Sequence, residues 1–179
     1  MKFLVMLCAL LLGTNVFAQD QKKAPPSNLR GILLEQLHTT HNNSDWFVAP
    51  TKAVEGVTAE QASWTDGKGN HSIGQLTYHI VFWNSRELAK FTNTDPGKFS
   101  GNNDETFDKF DAKTWAATVK QLDEVMTKLE KFVESATDEQ LAKYGSELAH
   151  IGTHNAYHTG QIIYIRRLQG IWDNAKGVK

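Results

Sequence analysis

Between residues 115 and 133, six apolar side chains, Trp115, Val119, Leu122, Met126, Leu129 and Val133, step by 4, 3, 4, 3 and 4. That alternation follows the 3.6-residue turn of an α-helix and draws one continuous apolar stripe along it. Such a stripe must be covered by other helices or by a sheet. No segment of the chain alternates apolar and polar residues well enough to read as a strand, so the cover is expected to be helical.

The remaining segments supply it. Leu33, Leu37, Thr40 and Ser44 recur at helical spacing after Asn28 and predict a first helix reaching about residue 47, ended by Pro50. Thr58-Ala59-Glu60-Gln61 is a capping box for one short turn before Trp64, and Ser72-Ile73-Gly74-Gln75 repeats it at the head of a second long helix, 72–91. The striped segment, capped by Asp111, is the third. Thr137-Asp138-Glu139-Gln140 reads as another short capped turn, with the fourth long helix starting at Gly145-Ser146. Leu148, Ile151, Asn155, His158, Ile162, Ile165 and Gln169 mark its inward face, and Gly170 stops it. Residues 92–110 are polar, contain Pro96 and are longer than the links that join antiparallel neighbours. The fold class expected is all-α, a four-helix bundle with a long crossover connection between helices 2 and 3.

Ahead of the bundle, Met1-Lys2, an apolar run over residues 3–12 and Val16-Phe17-Ala18 have the layout of a secretory signal peptide cut after Ala18. About 10 apolar residues span only about 15 Å as helix, half a hydrocarbon core, and no later stretch is apolar enough to span either. The expected organisation is a signal peptide over 1–18, a flexible leader over 19–27, the bundle over 28–170 and a C-terminal tail over 171–179. The mature protein is expected to be exported, periplasmic or secreted. Cys8, the single cysteine, would leave with the signal, removing disulfides, cysteine nucleophiles and zinc–cysteine sites from the available chemistry. Nineteen basic residues against 20 acidic ones, without a basic stripe, give a nucleic-acid partner no electrostatic support. A small-molecule substrate is the partner expected, and a homodimer is left open.

Chemistry concentrates in the histidines. His150, His154 and His158 lie four residues apart on the last helix, and adjacent members can share one ion through neutral imidazole nitrogen. A third ligand must come from another helix, and His79 is the candidate, flanked by Leu76, Ile80, Phe82 and Trp83 where a bundle would bury it. A buried imidazole needs a partner, which an ion or an ordinary hydrogen bond can supply, and spacing alone does not choose. His38, His41 and His71 read as surface or cap residues. A zincin-type protease is excluded, because the base glutamate of His-Glu-x-x-His is replaced by Asn155 in His154-Asn155-Ala156-Tyr157-His158.

His79, in the segment from His71-Ser72-Ile73-Gly74 to Leu76-Thr77-Tyr78-His79-Ile80, paired with His154-x-x-x-His158-x-Gly160-Gln161-Ile162, resembles the DinB/YfiT-like superfamily. The resemblance covers about residues 28–170. It implies a four-helix bundle with a crossover connection, binding one divalent metal ion, zinc or nickel foremost, through one histidine of helix 2 and two of helix 4. Carried over, those ligands are His79, His154 and His158. His150 has no ligand role in that pattern, and a pocket-lining role and plain exposure are both open for it.

Three protein ligands leave a position free on the ion, the mark of a catalytic rather than a structural site. The resemblance thus implies a metal-dependent enzyme of hydrolase or thiol S-transferase type acting on a small electrophilic substrate. Export weakens the transferase version, since low-molecular-weight thiols are kept reduced in the cytoplasm. The alternatives are a non-catalytic metal or small-ligand binding protein of the cell envelope and a metal-free bundle with hydrogen-bonded histidines. With a reference pKa of about 6.5, protons are expected to compete with the ion below about pH 6.

Overall fold

The computed structural model describes residues 25–178. The expected signal peptide, its cut after Ala18 and most of the leader lie outside the described residues. Seven α-helices and two short 3-10 turns form the regular structure, with no strand among the described residues, so the chain is all-α. No described helix is long and apolar enough to cross a membrane.

Helix α1 (Leu29–Thr39) starts where Asn28 accepts the Gly31 N–H, and it ends well before residue 47. The Thr39 and Thr40 hydroxyls donate to the carbonyls of Glu35 and Gln36, and the His38 carbonyl gathers the N–H groups of Asn42 and Asn43. These local bonds turn the chain away from the helix. Pro50 begins a helix instead of ending one: it is the first residue of α2 (Pro50–Val54), where a missing N–H leaves no bond unmade.

Three reciprocal capping boxes are formed, Thr58 with Gln61, Ser72 with Gln75 and Thr137 with Gln140. The first two open α3 (Ala59–Ser63) and α4 (Ile73–Phe91). The third heads α7 (Asp138–Leu168), one uninterrupted helix of 31 residues in place of the expected short turn and separate last helix. Gly145 keeps helical geometry, and the side chains of Leu29 and Leu33 lie 3.7–4.0 Å from where its Cβ would stand. Packing on α1, with Leu141 and Leu148 buried on either side, carries the helix past the first of its three glycines.

A short helix, α5 (Glu105–Asp108), interrupts the long connection. Asp111 caps a 3-10 turn, Ala112–Thr114, which leads into α6 (Trp115–Ser135). All members of the α6 stripe are buried except Val119, which is partly so. Both α1 and α4 pack against α6 and α7. Leu37, Ile80, Leu122, Leu129, Leu148 and Ile162 meet in the core without solvent contact. Each contributes about 1.5–3 kcal/mol relative to exposure.

Polar ties fix the short elements to this frame. Arg166 of α7, only 4% exposed, donates to the Ala53 and Glu55 carbonyls at the end of α2 at 2.7 and 3.1 Å. His41 corrects an expectation of surface exposure: it is 2% exposed, bonded through Nδ1 to Glu130 at 2.8 Å and through Nε2 to Asp123 at 2.9 Å. The turn after α1 is thereby pinned to α6, and a histidine with both nitrogens so engaged has no role in the cluster described next. His38 is exposed, as expected.

Candidate metal centre

His79 sits on the buried face of α4, and His154 and His158 sit one turn apart on α7. Their ligand atoms all lie within 4.8 Å of one another. His154 Nε2 is 3.0 Å from both His79 Nε2 and His158 Nε2. The remaining candidate stays out of the cluster. His150 is exposed and lies at the lining of the adjoining cleft.

What holds two of the rings also sets their tautomers. The Thr106 hydroxyl donates its one hydrogen to the Asn103 carbonyl at 2.6 Å, so it can only accept from His79 Nδ1, 2.5 Å away. The Gln161 amide oxygen likewise accepts from His158 Nδ1 at 2.7 Å. In a neutral ring the other nitrogen is then a bare lone pair, so His79 and His158 both aim unprotonated Nε2 atoms at His154. A single N–H on His154 can satisfy only one of them. One cation at the centre satisfies all three, so the donor set fits a divalent ion bound by imidazole.

Electrostatics agree. Burial, then repulsion from His158, His154 and His71, pushes His79 down to about 3. Burial, then His158, pushes His154 down to about 4. His158 is lowered too, by burial first, with the Gln161 bond opposing and His71 adding. His79 and His154 are therefore neutral well below pH 6 and His158 is shifted in the same direction, which moves proton competition lower than the reference value of imidazole implies.

Two neighbours of the cluster come from the long connection, where no periodicity drew attention to them. Thr106 is one. The other is Phe107, whose ring is stacked between His79 at 4.0 Å and His71 at 3.8 Å. His71 is exposed, as expected, yet it closes this stack. The signal that was present is weak: Phe107 and Phe110 are apolar in a polar stretch. Asn155 is fully buried, accepts from Asn84 Nδ2 at 3.2 Å and donates to the Met126 sulfur at 3.3 Å. Its amide is committed to the core, a second reason that it is no base.

A cleft of about 720 Å³ opens onto the three histidines, walled by Trp83, Phe107 and Tyr157. Half-buried His154 is the member of the cluster most exposed to it.

A family model of the DinB superfamily matches residues 50–162, a span that contains all three histidines. No curated protein and no solved structure matches the chain. The matched span is well over half of the 179 residues, and the chain belongs to the DinB superfamily.

Proposed function

We propose that the protein is an exported metal-dependent enzyme, a four-helix bundle of α1, α4, α6 and α7. Its crossover is the α4–α6 connection, and its three-histidine centre acts on a small electrophilic substrate. The observation that carries this reading is the convergence of three Nε2 atoms, two of them stripped of their proton by Thr106 and Gln161. His79, His154 and His158 would hold one divalent ion, zinc or nickel. When bound, it supplies Lewis-acid chemistry: a lower pKa for water or a thiol, and polarisation of an electrophile. Phe107, stacked on His79, keeps bulk water from one side of the ring. The cleft that opens onto the cluster admits substrate, which favours a catalytic centre over a closed structural one.

The test is elemental analysis of protein produced without a histidine tag, followed by turnover on esters, amides and thiol acceptors before and after chelation. About one zinc or nickel per chain, with metal-dependent turnover, is expected. Metal at trace level would leave a hydrogen-bonded cluster; metal without turnover would leave a binding protein. Sequencing of the exported chain is expected to begin at Gln19, and a retained Met1 would refute export by signal cleavage.

A further inference from the structure

The cleft over the histidines has a second chemical end. Helices α4 and α7 run antiparallel, since His79 meets His154 near the start of α4 while Lys90, near its end, meets Glu147, seven residues before His154. Glu87 and Glu147 therefore stand about 10–12 Å along their helices from His79 and His154 respectively, at 1.5 Å per helical residue. Asn84 lies between.

This end has more acceptors than donors among the described residues. Asn84 is 1% exposed, and its Oδ1, shielded from water, receives no hydrogen bond from the described residues. The Asn84 amide nitrogen is committed to Asn155 and Met126, which fixes that oxygen as the atom left over. Glu87 Oε2 is also shielded; Lys90 Nζ stands between the two carboxylates, ion-paired with Glu87 at 3.6 Å and donating to Glu147 at 3.1 Å, so one cation is shared by two carboxylates and the pair keeps a net negative charge. No lysine or arginine lines the cleft. A shielded acceptor without a donor is unfavourable, and a ligand N–H removes the penalty. Trp83 and Tyr157 add aromatic faces, which attract cations.

We propose that this cleft binds a small organic cation, an ammonium group on an apolar body, with its N–H groups received by Asn84 and Glu87. The ammonium end stands on the acceptors alone. Only the orientation, with the rest of the molecule reaching toward His79, His154 and His158, rests on the proposed metal centre.

Benzylammonium and its neutral near-isostere benzyl alcohol are the probes, titrated calorimetrically at about pH 7.5 into chelator-treated protein and into the same protein reloaded with Zn²⁺. Benzylammonium is expected to bind at least about ten-fold more tightly in both states. Glu87→Gln should reduce that preference to about three-fold or less while leaving benzyl alcohol affinity and zinc content unchanged. Glu147→Gln, at a more exposed position, should reduce it by a smaller factor, and it keeps the test in hand if Glu87→Gln does not fold. Equal affinities for the two probes, no binding of either, or an undiminished preference in both variants would overturn the assignment. Loss of zinc uptake with the preference intact would instead refute the metal reading and leave the cation site standing.

Discussion

At the scale of single residues, the side chains that orient the histidines matter as much as the histidines. Thr106→Val keeps the shape of a side chain 1% exposed but removes the only acceptor for His79 Nδ1. The freed ring can then turn or take the other tautomer, with its proton on the ligating nitrogen. Zinc affinity, measured by competition with a chromophoric chelator, is expected to fall about 10- to 100-fold, and Gln161→Leu should act similarly on His158. An affinity unchanged in both would mean that the cluster does not depend on these tautomers. His41 is the contrasting case. His41→Ala takes the partner from Glu130, whose side chain is only 14% exposed, and should cost about 2–3 kcal/mol of stability in urea while leaving zinc affinity intact. His38→Ala, at an exposed position, should be nearly neutral in both assays. That His79, His154 and His158 come together was legible in part: helical spacing and an apolar neighbourhood marked candidates, and the resemblance set His150 aside. His41 was not, because its partners Asp123 and Glu130 are 82 and 89 residues away along the chain and only the packing of α1 on α6 brings them together.

At the scale of elements, helix starts were legible and helix ends less so. A capping box is written in four adjacent residues, so Thr58 and Ser72 announced α3 and α4 correctly, whereas Thr137 marked a true helix start but was read as heading one short turn and not the whole of α7. The continuity of α7 through Gly145 depends instead on contact with α1, which local propensity cannot register. Gly170 does stop α7, at a φ of +68° that suits glycine. A different requirement holds Gly74 in the first turn of α4: a Cβ there would overlap the outer edge of the Phe110 ring. Phe110 in turn lies edge-on to Trp115, at 6.1 Å between ring centroids, so it has little room to yield. Gly74→Ala is therefore expected to destabilise by about 1–3 kcal/mol despite alanine's better helix propensity. That corresponds to a fall in Tm of roughly 2–4 °C per kcal/mol for a chain of this size. The double variant Gly74→Ala, Phe110→Ala should show less than the sum of the single effects; full additivity would place the conflict elsewhere.

At the scale of the whole molecule, the antiparallel pairing of α4 and α7 puts three imidazoles from two distant segments in one buried place, and that burial governs how the protein answers pH. Reference imidazole predicts proton competition below about pH 6, but desolvation pushes His79 down to about 3 and half-buried His154 down to about 4. Spacing could name these residues without revealing the shift, because desolvation is a property of the assembled helices. The sign follows from proton binding: between about pH 6.5 and these lowered values the unfolded chain holds protons that the folded rings do not. Their contribution to stability is complete above about pH 6.5 and is lost progressively as pH falls toward 4 and 3, so the metal-free protein should melt earlier at pH 5 than at pH 7.5. The folded rings of His79 and His154 nevertheless stay neutral at pH 5, and burial lowers His158 in the same direction. Added Zn²⁺, which favours the folded state by mass action, is therefore expected to raise Tm at about pH 5 by most of the shift seen at about pH 7.5. Zinc binding by equilibrium dialysis should persist to lower pH than reference imidazole implies and be lost by about pH 4, where His154 takes up its proton. In the triple variant His79→Ala, His154→Ala, His158→Ala the zinc shift should vanish at both pH values, and the metal-free melts should lose part of their slope between pH 7.5 and 5. Paired melts of the two proteins with and without zinc decide it: a zinc shift that collapses by pH 5 would put the rings back near their ordinary pKa, and one that survives in the triple variant would move the ion to other ligands.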